Sequence, residues 1–220
     1  MDYRPLLKRV GIALVVVGLL DVALMVVAIM SRTSYSSSFN IFAVIAGIFL
    51  IKGSLRVASL VRQFVLFFLG ALVSFAVVSP SVVPPGYLLV QLQLNPMAII
   101  GSLAGLVLVV GFFLWLVREL GSSVVLQARQ EAGLPPRRGL VPFYIGVGLA
   151  GLLAISSYFV QHSESANRAT SEARTALGED YSFYVSSISF RTSSEGKAVS
   201  GIVTAWKSGS IKEHRFSWRE

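Results

Sequence analysis

VGIALVVVGLLDVALMVVAIM, residues 10–30, is the stretch that decides the fold. Twenty apolar or small residues surround one carboxylate, Asp21. A helix rises 1.5 Å per residue, so about 20 such residues cross a hydrocarbon core of roughly 30 Å. Arg4, Lys8 and Arg9 precede the run. Its apolar length exceeds the roughly 7–15 residues of a cleaved signal peptide, and no small-x-small site follows, so it is expected to stay as an anchor.

The rest of the chain agrees. Of 220 residues, 54% are hydrophobic and 14% charged, where soluble domains carry about 25% charged residues. Mean hydropathy is +0.71. Four further apolar segments are expected to span: about 37–54, 64–79 (ending before Pro80), 97–117 and 140–160. The second is the shortest and needs Lys52 to snorkel to the interface. With five spans, ten Lys and Arg fall on one side: residues 4, 8, 9, 52, 56, 62, 118, 129, 137 and 138. Arg32 alone falls on the other, the last segment aside. The positive-inside rule puts the ten in the cytoplasm. The expected location is thus a bacterial inner membrane, with a cytoplasmic N-terminus and a periplasmic C-terminal domain. Arg137 and Arg138 are expected to act as topology determinants, the alternative being that they face lipid phosphates.

Composition changes at Gln161. In residues 163–177, Ala166, Ala169, Ala173 and Ala176 trace one helical face, and Gly178 sits where a helix C-cap belongs. Three strand-like runs follow, 181–191, 197–207 and 211–218, separated by turn-forming residues. The expected fold is a membrane all-α bundle of about five transmembrane helices over residues 1–160. A small C-terminal α+β domain follows over residues 161–220, one helix plus a three-stranded antiparallel meander. A helix and small sheet hung from a membrane anchor look like the exported domains of some respiratory-complex assembly factors, in architecture alone. No motif assigns a family. A unit of that size is marginally stable on its own, and with no cysteine it has no disulfide. Docking on the membrane, on a partner or on its own loops is expected. Residues 80–96, PSVVPPGYLLVQLQLNP, are uncharged and suit an interfacial segment packed under it.

Asp21 shares a helical face with Val17, Gly18, Met25 and Ala28, and so should face protein. Intramembrane carboxylates are candidates for function when a partner can be named. No basic residue lies at mid-depth in another span. Asn40, Ser74 and Ser102 are the polar candidates for contact. Asp21 therefore reads as interhelical glue, as half of a pair with another subunit, or as a proton- or ligand-contacting acid. Small residues mark close helix packing: Gly18 and Ala28, Ala43 and Gly47, the GxxxG of Gly101 and Gly105, and Gly146 with Ala150.

Chemistry is sparse. Gly146 to Gly151 spell GxGxxG, but inside an apolar span rather than a βαβ unit, which excludes a dinucleotide site. His162 and His214 lack metal-ligand spacing. No catalytic, cofactor or metal residue is assigned. The net charge of +8 flanks apolar runs instead of forming a nucleic-acid stripe. The expected partners are the lipid bilayer and a membrane protein or a second copy, and no nucleic acid. The expected function is a non-enzymatic accessory or assembly protein. Its exported interaction surface would comprise Trp206, Lys207, Lys212, Arg215 and Trp218. The alternative is a small transporter or lipid-handling protein using Asp21 in an internal cavity.

Overall fold

The structure is a computed structural model, which describes residues 2–31, 40–134, 139–193 and 196–219. Four helices are long and apolar enough to cross a membrane: α1 (Arg4–Met30), α3 (Leu55–Val82), α5 (Pro96–Leu120) and α7 (Val141–Gln161). The second apolar segment differs from expectation. Its described part is the helix α2 (Asn40–Ile51), of 12 residues, about 18 Å at 1.5 Å each and too short to span alone. Residues 32–39 and 135–138 lie outside the described residues. They include Arg32, Arg137, Arg138 and the start of the expected second span.

Two compact units divide the chain. One comprises Met1–Gly70 with Leu108–Gly146, and the other Ala71–Val107 with Val147–Glu220. In the first, α2 lies antiparallel along α1. A Cβ at Gly11 would stand 2.6 Å from the Gly47 carbonyl and 2.8 Å from Ile51. One at Gly47 would stand 2.6 Å from the Gly11 carbonyl and 2.7 Å from Val15. The two backbones touch, which only a residue without Cβ allows. Leu7, Val10 and Leu14 of α1 and Ala43, Ala46 and Leu50 of α2 are buried. At the end of this pair Gly53 sits beside Arg4. Phe42 of α2 meets Phe64 of α3 at 5.0 Å, and Phe64 meets Phe68 at 4.7 Å. On α3, Gly70 faces the Phe143 backbone of α7. Helix α6 (Ser123–Glu131) follows α5 and ends before Gly133, whose φ is +66°.

The second unit holds the tail. Helix α3 runs two residues past the expected stop at Pro80. A proline in a last turn forfeits one hydrogen bond, a cost that spanning helices absorb locally. Helix α4 (Pro85–Leu94) carries proline at its first position, where no N–H is needed. Helix α8 (Glu164–Leu177) is capped by Ser163, whose hydroxyl accepts from the Ala166 N–H at 3.3 Å. Three strands, β1 (Ser182–Ser193), β2 (Gly196–Lys207) and β3 (Ser210–Arg219), pair antiparallel in the order β1-β2-β3. A bulge interrupts β1 between Val185 and Ser187.

One face of this sheet packs on α8. Ala166, Ala169 and Ala173 meet Val185, Val199, Val203 and Phe216. Ala176, expected on the same face, is exposed; the helix ends one residue later, at Leu177. The opposite face is covered by α4. Tyr87 lies 5.2 Å from Tyr184 and 6.0 Å from Trp206, ring to ring. The sheet is therefore the middle of three layers.

Gly47→Val is expected to destabilise the chain by roughly 1–3 kcal/mol, since two backbones must part to admit it. Gly101→Val, where a Cβ meets nothing within 4 Å, serves as the near-neutral control in thermal unfolding in mild detergent.

Candidate functional site

The polar residues singled out within the spans lie on four different helices, α1, α2, α3 and α5. Asp21 is half-buried and continues the stripe of α1 on which Leu7, Gly11, Leu14 and Gly18 are buried, with half-buried Met25 and Ala28 beyond it. Val17, expected on that face, is 39% exposed and stands at its edge. Asn40 opens α2. Ser74 is buried on α3, with its Oγ 3.8 Å from where a Cβ of Gly151 on α7 would lie. Ser102 is exposed, and its hydroxyl donates to the Ile99 carbonyl of its own helix at 2.8 Å. Ser74 and Ser102 are thus tied to local helix packing and not to one site.

The small residues divide into two groups. Gly18, Ala43 and Gly146 are buried, Gly47 is in backbone contact, and Ala28 and Ala150 are half-buried. Gly101 and Gly105 are exposed, and a Cβ at either would meet no atom within 4 Å. The GxxxG of α5 thus presents an open face.

On the tail, the five interaction candidates separate. Trp218 is half-buried, stacked 4.8 Å from Phe216 with the Arg168 guanidinium 4.8 Å above it. Trp206 is half-buried against Tyr184 and Tyr87. Gly86 of α4 lies close to its Nε1. Lys207 and Lys212 hold their ammonium groups 4.6 and 5.2 Å from the Tyr181 ring. Arg215 pairs across from Ile202 while Lys212 pairs across from Ala205. Strand side chains alternate with period two, so Arg215 stands on the sheet face opposite the two lysines. One continuous basic face does not form.

Two tyrosines have shifted acidities. The Tyr181 phenol is lowered from its ordinary 10.0, first by its hydrogen bond with Ser210 and then by that with Lys212. The Tyr184 phenol is pushed up to about 12, chiefly by burial under α4, with Tyr87 adding to it. Gln91 donates from Nε2 to the Tyr87 hydroxyl at 3.1 Å. His214 Nε2 is 3.7 Å from Glu172 Oε1, and His162 stacks on Tyr158. Among the described residues no three His, Asp or Glu gather as a metal site.

A cavity of about 310 Å³ lies in the first unit. Ser59 and Arg62 of α3, Leu120 at the end of α5, and Leu126, Arg129 and Gln130 of α6 line it, and no carboxylate is among the described lining residues. Ser59 and Arg129 are buried, at 8% and 9% exposure. Arg62 Nε is buried and has no hydrogen-bond partner among the described residues. Asp21, Ser74 and Ser102 are not among its described lining residues. Counting Arg62 and Arg129 as flanking charges missed it. The available signal was Val125, four residues before Arg129 on α6 and buried: that spacing puts the arginine on the inward face.

Comparison with known proteins adds no identity: no family model, no curated protein and no solved structure matches this chain.

The Tyr184 shift sets a pH expectation. Folded, the phenol keeps its proton up to about pH 12; in an unfolded chain it loses it near 10.0. Its contribution to stability is thus complete below pH 10 and is lost as pH rises from there to about 12. Alkaline titration followed by tyrosinate absorbance should show one late phenol. Tyr87→Ala, which uncovers Tyr184, should bring it earlier.

Proposed function

We propose that this chain is a non-enzymatic integral membrane accessory or assembly protein. Its bundle holds a helix of another membrane protein, and its tail offers a second, exported surface. The observation that carries this reading is the contrast between filled and open glycines. Gly11, Gly47 and Gly70 meet opposing backbone, whereas Gly101 and Gly105 meet nothing. In the apolar windows of α5 and α7 only 6% of residues are buried within the chain. Exposed leucine is at home in lipid, but exposed glycine at GxxxG spacing is what lets a second helix approach closely. Asp21, on the protein-facing stripe of α1, belongs to the packing of this assembly.

The topology we propose has five crossings, with the N-terminus in the cytoplasm of a bacterium and the tail in the periplasm. Its support is the antiparallel lie of α2 on α1, which by Gly53 has brought the chain back beside Arg4. A return beside Arg4 is what two crossings before α3 would produce. The distribution of Lys and Arg then obeys the positive-inside rule. On the tail, Lys207 and Lys212 over Tyr181 form the exposed cationic element.

The test is purification from native membranes in mild detergent, with mass spectrometry of what co-elutes. A stoichiometric membrane protein is expected with the unaltered chain and at least about tenfold less with Gly101→Leu/Gly105→Leu, at unchanged melting temperature. A chain that elutes alone, or a partner indifferent to that double substitution, would overturn the reading.

A further inference from the structure

We propose that the cavity between α3, the end of α5 and α6 is a phosphate-binding site, and that its ligand is the headgroup phosphate of an anionic phospholipid. The inference is independent of the helix-partner reading. Two guanidinium side chains, Arg62 and Arg129, line one cavity of about 310 Å³ whose described lining residues include no carboxylate. That volume is at the small end of ligand sites. Arginine presents a planar fork of donors that matches phosphate oxygens, often two at a time. Ser59 is buried in the wall and adds a hydroxyl, and Gln130 adds an amide. The Arg62 Nε–H is buried without an acceptor among the described residues. A buried donor in that state is stabilised by any acceptor that enters.

Depth favours a lipid as the source. Arg62 lies against Gly121, one residue beyond the last residue of the apolar helix α5. This is the level where a spanning helix leaves hydrocarbon and headgroups begin. The wall is two-natured. Leu120, Leu126 and Leu134 supply apolar surface beside the donors, as a group that continues into a glycerol backbone and acyl chains requires. Basic pockets at helix ends on the cytoplasmic side recognise anionic headgroups through this combination.

The experiment uses the full chain in mild detergent, supplied with phosphatidylcholine alone or with added phosphatidylglycerol, and reads bound lipid by native mass spectrometry. In parallel, the melting temperature is followed while inorganic phosphate replaces chloride at constant ionic strength. The unaltered chain is expected to retain one phosphatidylglycerol. Arg62→Gln and Arg129→Gln are each expected to lose about tenfold or more of that retention, the loss of one charged hydrogen-bond partner. If instead inorganic phosphate raises the melting temperature saturably, with no preference for phosphatidylglycerol, the site stands and its source is a soluble phosphate. Should Arg129→Gln fail to fold, Arg62→Gln, whose side chain is only half-buried, carries the comparison. Equal lipid retention by the unaltered chain and Arg62→Gln, together with no saturable phosphate shift in the unaltered chain, would sink the proposal.

Discussion

Hydrocarbon offers backbone N–H and C=O groups no partner, and the rest of the bundle follows from that constraint. Each apolar run must bond its own backbone, and a helix is the only single-segment way to do so. Once all runs are helices, lipid tails compete with leucine on equal terms. Association then rests on how closely backbones can approach. The α1–α2 pair shows the consequence. Gly11 and Gly47 bring carbonyls where a Cβ would stand. Leu7, Val10 and Leu14 of α1 and Ala43, Ala46 and Leu50 of α2 are buried along with this contact.

The tail solves the reverse problem. Its strands are stabilised by burial of apolar surface away from water, and three strands have two faces to cover. Alanines on α8 let that helix lie close on Val185, Val199 and Val203. The other face carries Tyr184, Thr204 and Trp206, and α4 closes it with Tyr87. Thr204 beneath is 4% exposed, its hydroxyl donating to Ser186 Oγ at 3.0 Å. A sheet with both faces covered needs no disulfide, and a segment about 100 residues upstream in sequence supplies the second cover.

What was legible in the sequence were features with a period or a length. Long apolar runs give α1, α5 and α7 within a few residues, and alanine spacing with β-branched runs gives α8 and the three strands. What was not legible depended on three-dimensional neighbours. The described helix of the second apolar segment has 12 residues, and hydropathy marks where a chain is apolar, not which neighbours it packs on. Trp206 and Trp218 read as candidate anchors, one of them core; both are half-buried, against α4 and Arg168, elements distant in sequence. Lys212 and Arg215 read as one patch because they are close in sequence, yet an odd separation along a strand turns them to opposite faces.

Arginine shows most clearly where counting residues stops being informative. Arg118 and Arg129 enter a topology count identically, since both are permanent cations beside an apolar run. In the structure Arg118 is exposed and Arg129 is 9% exposed. The second has given up most of its water, as has the Nε of Arg62 across the same cavity. While unmet by any acceptor among the described residues, the Arg62 Nε donor costs about 1–3 kcal/mol. That cost falls away when an acceptor occupies the space, so Arg62 is better understood through what enters the cavity than through the fold that surrounds it.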